Sequence, residues 1–138
     1  RDNALPGMRL SLKIDRILYH RPSKYQDVLV FKSQSNGNVL ALDNRIQITE
    51  FDECSYQEMM ALLPLSCHPK PERVLIVGGG DGAILRHVLK DQTVEKAVLC
   101  EIDKDVVEVC KRYFPQISSA LRPDDDPEKR VMVTISDG

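Results

Sequence analysis

The sequence predicts an α/β protein, with a small N-terminal antiparallel β domain ahead of a Rossmann-like, doubly wound parallel sheet. Three observations carry this. Val74-Leu75-Ile76-Val77 is a short apolar run, as a buried parallel strand should be, and Gly78-Gly79-Gly80-Asp81-Gly82 after it reads as a tight turn into a helix. About one βα unit later, Cys100-Glu101-Ile102-Asp103 places an acidic residue at the tip of the next apolar strand. Residues 8 to 50, by contrast, carry strand alternation and turn signals.

Met8-Arg9-Leu10-Ser11-Leu12-Lys13-Ile14 alternates strictly and is expected to be the first strand. Val28 to Phe31 and Asn38 to Leu42 flank Ser35-Asn36-Gly37, a hairpin turn in which Asn36 and Gly37 are expected to supply positive φ angles. Asp43-Asn44 marks a second turn, and Arg45-Ile46-Gln47-Ile48-Thr49 a further short strand. This stretch lacks the aromatic and Gly/Pro spacing of a complete sandwich or barrel. We therefore expect residues 1–51 to form an accessory or oligomerising β domain, and residues 52–138 the Rossmann-like domain.

From about Asp52 the period changes. Ser55-Tyr56-Gln57-Glu58 matches a capping box, Met59, Met60, Leu62 and Leu63 follow, and Pro64 is expected to end the helix. Cys67-His68-Pro69-Lys70-Pro71 reads as a stiff connector. Next come strand 74–77, helix 83–90, strand 97–100, helix 103–114 stopped before Pro115, a polar loop with Asp124-Asp125-Asp126, and strand 131–135. That order is βαβαβ, half of a doubly wound sheet. The chain opens on Arg1 and stops at Ser136-Asp137-Gly138 just past an apolar strand, so the sheet is expected to be truncated after its third strand. A fragment, or the ordered part of a longer chain, is the expectation.

Nineteen Lys and Arg against 21 Asp and Glu give a net charge of −2, with 42% hydrophobic and 29% charged residues. Nothing in that balance points to a nucleic-acid or membrane surface. Arg16, His20, Arg21 and Lys24 are interleaved with apolar residues and read as a solvated strand face. The four cysteines, Cys54, Cys67, Cys100 and Cys110, form no CxxC pair. Cys100 and Cys110 are expected to be core thiols in a reducing, cytoplasmic protein. The aspartate run reads as a solvated loop rather than a metal site.

The chemistry rests on the glycine turn. Gly78 to Ala83 satisfies G-x-G-x-x-A, but Asp81 lies where a pyrophosphate would sit, with no Arg or Lys in the loop to offset it. A carboxylate there attracts a cation, so the loop suits a positively charged nucleoside such as a sulfonium. A glycine turn needed only for helix–strand packing remains open. Glu101 can hold ribose hydroxyls, or be a solvated strand end. Asp137-Gly138 can accept from an adenine amino group, or be a turn. Tyr56 and Gln57 can wall a pocket between the domains, or simply start a helix. His20, His68 and His87 are assigned no role.

Read together, Ser23-Lys24-Tyr25-Gln26-Asp27-Val28-Leu29-Val30-Phe31, Gly37-Asn38-Val39-Leu40-Ala41-Leu42-Asp43, Glu53-Cys54-Ser55-Tyr56-Gln57-Glu58-Met59, the glycine turn and Cys100-Glu101-Ile102-Asp103 resemble the spermidine synthases in order and spacing. The resemblance covers about residues 8 to 138. It implies aminopropyl transfer from decarboxylated S-adenosylmethionine to putrescine, with no prosthetic group, on a methyltransferase-like fold. It also implies a homodimer or larger homo-oligomer built through the N-terminal β domain. By this resemblance Asp81 holds the aminopropyl ammonium and Glu101 the ribose hydroxyls. Asp137 and Gly138 meet the adenine, and Gln26 and Gln57 line the donor pocket, with Gly80 and Ile102 beside it. Tyr56 and Gln47 face the diamine. The family's general base is an aspartate in an Asp-Ser-x-Asp-Pro-like segment one strand further on, so these 138 residues alone are expected not to turn over. Two departures stand out: Asn44 where the family usually has Gly, and Phe51 in place of a basic residue. Putrescine N-methyltransferase, spermine synthase and an inactive nucleoside-binding paralogue are the alternatives.

Overall fold

The computed structural model describes residues 11–122, 124 and 126–138. Among these residues seven strands and three helices follow in order: β1 Ile14–Pro22, β2 Asp27–Ser33, β3 Asn38–Leu42, β4 Arg45–Thr49, α1 Glu53–Cys67, β5 Arg73–Val77, α2 Ala83–Val88, β6 Lys96–Glu101, α3 Lys104–Tyr113 and β7 Val131–Ile135, with a 3-10 turn at Ser119–Leu121 before the last. β1 to β4 make an antiparallel meander, and β5, β6 and β7 a parallel sheet in that order.

The first strand is not where alternation put it. Residues 8–10 of the expected Met8-to-Ile14 strand lie outside the described residues, and Ser11 to Lys13 are irregular. β1 begins at Ile14 instead, because pairing fixes it: Ile17 lies opposite Phe31 and His20 opposite Leu29. His20 Nε2 also meets Asp27 Oδ2 at 2.9 Å across the same pair. Alternation marks a strand-like composition, whereas the partner strand decides its limits.

At the first hairpin only Gly37 takes a positive φ, 70°. Asn36 does not need one, because its N–H donates to Ser33 Oγ at 2.7 Å while that hydroxyl donates to Gly37 O at 3.1 Å. Asp43 and Asn44 are both left-handed, with φ of 48° and 62°. This is the pair of angles a two-residue hairpin needs, and Asn tolerates it where Gly is usual.

The Ser55 capping box is also corrected. α1 begins three residues earlier, with Asp52 at its N-cap and no side-chain cap bond. Thr49 Oγ1 donates to Asp52 Oδ1 at 2.5 Å and accepts from Asp52 N at 3.3 Å, so the entry turn is tied to β4 instead. Nor does Pro64 end the helix, which runs to Cys67, the residue assigned to the connector. An interior proline costs roughly 3 kcal/mol. Ala61 and Leu65, on either side of it, are buried against α2 and the parallel sheet, and that packing outweighs the loss.

Two apolar clusters join the layers. Val28, Val30, Leu40 and Ile48 of the meander pack with Ala83 and with Val106, Val109, Cys110 and Phe114 of α3 and its end. One face of the small sheet therefore shares a core with the Rossmann-like part. Ile76, Ala97 and Leu99 of the parallel sheet pack with Leu85, Val88, Val107 and Leu121 in the second cluster. All four cysteines are free, Cys100 and Cys110 buried and Cys54 and Cys67 exposed. Among the described residues, no helix is long and apolar enough to cross a membrane.

Candidate functional site: an acidic glycine loop

β5 ends at Val77, and the chain must turn sharply to start α2. Gly78, Gly79 and Gly82 all sit at positive φ, between 75° and 80°. The turn is anchored by Gly78 N donating to Cys100 O at 2.8 Å and Gly82 N to Gly79 O at 2.9 Å. Gly80 is glycine for another reason. A Cβ there would lie 2.9 Å from Glu101 Oε2 and 3.1 Å from Val106 Cγ1.

Glu101, at the end of β6, is 8% exposed. Its Oε2 accepts from Gly80 N at 2.9 Å and its Oε1 from Asp103 N at 3.0 Å. Each oxygen keeps a second acceptor position, which suits a pair of ribose hydroxyls. Asp81 Oδ1 accepts from Ala83 N at 2.7 Å. Burial pushes the Asp81 carboxyl above its ordinary 3.8, the Ala83 hydrogen bond opposes that, and the Glu101 and Glu53 charges raise it further. Burial, and after it the Asp81 and Glu101 charges, raise the Cys110 thiol behind the loop. Two acidic side chains thus crowd one poorly solvated loop, an arrangement that a cation relieves.

Ile102 follows Glu101 and is partly exposed. Asp137 and Gly138 continue from β7 on the same edge, where a Cβ on Gly138 would come within 2.7 Å of Val77 Cγ1. Ser136 N donates to Glu101 O at 3.0 Å, which ties this segment to β6. Gly80, Asp81, Glu101, Ile102, Asp137 and Gly138 are therefore gathered at the carboxyl ends of the parallel strands, where doubly wound sheets hold ligands.

The remaining residues divide. Gln26, in the turn before β2, reaches across with its Nε2 2.9 Å from Asp103 Oδ2. Gln57 on α1 is 4% exposed, and its Oε1 has no hydrogen-bond partner. Tyr56 is 64% exposed. Gln47 Nε2 donates to Arg45 O at 3.2 Å on the exposed end of β4. No hydrogen bond among the described residues ties Tyr56 or Gln47 to the loop. An apolar groove of about 380 Å³ runs between α1 and β5, lined by Met60, Leu65, Leu75 and Val77. It holds none of the polar residues above.

Sequence reasoning missed two supports. Asp103 received no role, yet its Oδ1 caps α3 by accepting from Asp105 N at 3.0 Å. An aspartate directly before a helical run was the available signal. Glu53 Oε1 and Arg86 Nη2, 2.5 Å apart, clamp α1 to α2 behind the loop, with His87 Nε2 3.9 Å from Glu53 Oε2. Nothing in their sequence spacing announces that pair.

Residues 53–138 match the family model for the spermine/spermidine synthase domain, and residues 1–50 the spermidine synthase tetramerisation domain. Spermidine synthase of Schizosaccharomyces pombe is 50% identical over 99% of this chain and 44% of its own length. Spermidine synthase 1 of Pisum sativum is 52% identical over 96% of this chain and 38% of its own length. Among solved structures, a spermidine synthase in complex with the transition-state analogue AdoDATO superimposes with a TM-score of 0.84 at 43% identity, over 91% of this chain and 41% of that one. The Thermotoga maritima spermidine synthase gives the same TM-score and identity, with 42% of that chain covered. The chain thus spans less than half the length of the relatives it matches. On the matched domains and on the parallel sheet with its acidic glycine loop, the chain belongs to the spermine/spermidine synthase family.

Proposed function

We infer that the chain carries the donor-binding part of an aminopropyltransferase, which moves the aminopropyl group of decarboxylated S-adenosylmethionine onto putrescine. Spermidine and methylthioadenosine are the products. The observation that carries this reading is the convergence of Asp81 and Glu101 on one buried loop, with the Asp81 carboxyl raised by burial and by Glu101. The donor bears a sulfonium and a free ammonium and no carboxylate. It therefore supplies the positive charge that this loop lacks, without the repulsion a carboxylate would meet. The names of the relatives and the AdoDATO complex of a similar structure support the same substrate class.

In this reading Asp81 holds the aminopropyl ammonium and Glu101 the ribose hydroxyls. Asp137 and Gly138 border the adenine, Ile102 packs beside the nucleoside, and Gln26 and Gln57 complete the donor pocket. Tyr56 and Gln47 face the diamine. The reaction is an in-line displacement at carbon. The amine nitrogen of putrescine forms the new C–N bond, the C–S bond breaks, and the electron pair stays on sulfur as a neutral thioether. Because the sulfonium is already a good leaving group, the protein contributes mainly position and a base for the amine proton. None of these site residues is assigned as the base, so residues 1–138 alone are expected to bind donor without turnover. The reading extends to a homo-oligomer formed through the N-terminal sheet, dimeric or larger, in keeping with the matched tetramerisation domain. It places the protein in the cytoplasm, in keeping with four free thiols.

Incubation of the full-length gene product with putrescine and either decarboxylated or intact S-adenosylmethionine, with products identified by mass, tests the reading. Spermidine from the decarboxylated donor alone is the expected result. N-methylputrescine from the intact donor, or no product from either, would contradict it.

A further inference from the structure

We propose that Asp103 is a positioning residue that fixes the amide of Gln26, so that Gln26 presents its carbonyl oxygen, and not its NH2, to the nucleoside donor. The inference rests on the donor site described above, but its geometry is independent of any ligand. Asp103 is 1% exposed and its carboxylate accepts three hydrogen bonds. Oδ1 takes Asp105 N at 3.0 Å, and Oδ2 takes both Ser23 Oγ at 2.6 Å and Gln26 Nε2 at 2.9 Å. The Asp103 N–H donates to Glu101 Oε1, and Glu101 Oε2 accepts from Gly80 N. An unbroken chain of hydrogen bonds therefore runs from Gln26, in the turn between β1 and β2, through Asp103 and Glu101 to the glycine loop.

A side-chain amide can usually be turned either way, since its two ends are alike in size. Here it cannot. A carboxylate only accepts, so the end of Gln26 that faces Asp103 must be the NH2. The backbone is held as firmly: Ser23 Oγ accepts from Tyr25 N and Gln26 N, both at 3.1 Å, and Ser23 N donates to Gln26 O at 2.8 Å. With Nε2 committed, Oε1 is left for a partner. An acceptor at that position selects a ligand that offers a hydroxyl or an ammonium, and disfavours one that offers a carboxylate. Asp103 thereby adds to the selectivity for a cationic nucleoside without touching it.

The test uses the full-length gene product and two exchanges. Asp103→Asn keeps the helix cap, because Asn caps as well as Asp, and the Ser23 hydroxyl can turn to Gln26 O, 3.2 Å away. Its new NH2 would face Gln26 and force that amide to turn over. Calorimetric titration with decarboxylated S-adenosylmethionine is expected to show about a tenfold loss of affinity, the scale of one hydrogen bond reversed. Gln26→Glu sets two carboxylates against each other, and at least the same loss is expected. In the double variant the amide at position 103 donates to the carboxylate at 26, whose second oxygen again faces the ligand. Affinity should then return to within about threefold of wild type, where a purely structural role would multiply the two losses. Without ligand, the Gln26 NH2 resonances, assigned by their loss in Gln26→Ala, should be downfield and slowly exchanging, and should lose both properties in Asp103→Asn. Multiplied losses in the double variant, or NH2 resonances indifferent to Asp103→Asn, would overturn the proposal. A wild type that shows the NH2 signature yet binds no donor would support the amide orientation and overturn the nucleoside reading of the site.

Discussion

Gly80 and Glu101 are in direct contact across the β5–α2 turn: the Gly80 N–H donates to Glu101 Oε2 at 2.9 Å, and a Cβ at position 80 would lie at that same distance from that oxygen. The glycine both holds the Glu101 carboxylate and is small enough to let it in. Gly80→Ala is therefore expected to weaken donor binding more than it weakens the fold. One charge-assisted hydrogen bond and the placement of Glu101 are lost, about 1.5–3 kcal/mol or at least a tenfold change in affinity. Titration with methylthioadenosine beside a thermal melt separates the two effects. A fall in melting temperature with unchanged affinity would argue against the role given to Glu101.

Asp81 offers a second prediction, in which function and stability oppose each other. Its carboxyl is raised above 3.8 by burial and by Glu101 and Glu53. The folded state then holds its proton more tightly than the unfolded state, so stability declines as pH rises from about 3.8 through the raised value. Asp81→Asn keeps the acceptor for Ala83 N and removes the charge. At pH 7 it is expected to melt higher than wild type and to lose donor binding, as paired melts and titrations would show.

Donor binding should carry the same linkage with the opposite sign. An ammonium beside Asp81 favours its charged form, so binding releases a proton wherever the free site is protonated. Affinity for the cationic donor is expected to fall as pH is lowered through the raised Asp81 value, and Asp81→Asn should flatten that profile. Calorimetry in two buffers of different ionisation enthalpy would count the protons directly.

The clamp behind the loop gives a fourth prediction. His87 is buried, and its pKa is lowered first by that burial and then by Lys90 and Arg86, against smaller opposing effects of Glu53 and Glu58. A lowered histidine binds fewer protons folded than unfolded, so stability is lost as pH falls below about 6.5. Urea midpoints measured between pH 7.5 and 5.5, a window set around that value, should decline on the acid side. His87→Gln should reduce the slope. Removing Glu53 leaves Arg86, partly buried, without its 2.5 Å partner. Glu53→Ala is expected to cost about 1–3 kcal/mol.

Much of the parallel sheet could be read from the sequence, because each of its elements is marked locally. The apolar runs around Ile76, Leu99 and Val133, the glycine turn and the Asp103 helix start all sit where periodicity and turn chemistry put them. The errors fall where a distant partner decides. β1 starts at Ile14 because β2 pairs with it there, and α1 starts at Glu53 because Thr49 and Arg86 hold its first turn. Pro64 stays helical because Ala61 and Leu65 are packed on either side of it. At the site, Asp81 and Glu101 announce themselves by type and spacing. Asp103 does not, since its importance lies in Ser23 and Gln26, some eighty residues away.

The central claim is that the loop is built for a donor without a carboxylate, with Asp81 as its anchor. Calorimetric titration of the full-length gene product and its Asp81→Asn variant, each with decarboxylated and with intact S-adenosylmethionine, tests it most directly. Wild type should bind the decarboxylated donor at least about tenfold more tightly, the scale of one charge-assisted contact, and Asp81→Asn should erase most of that preference. Equal affinities in wild type, or a preference that survives Asp81→Asn, would contradict it.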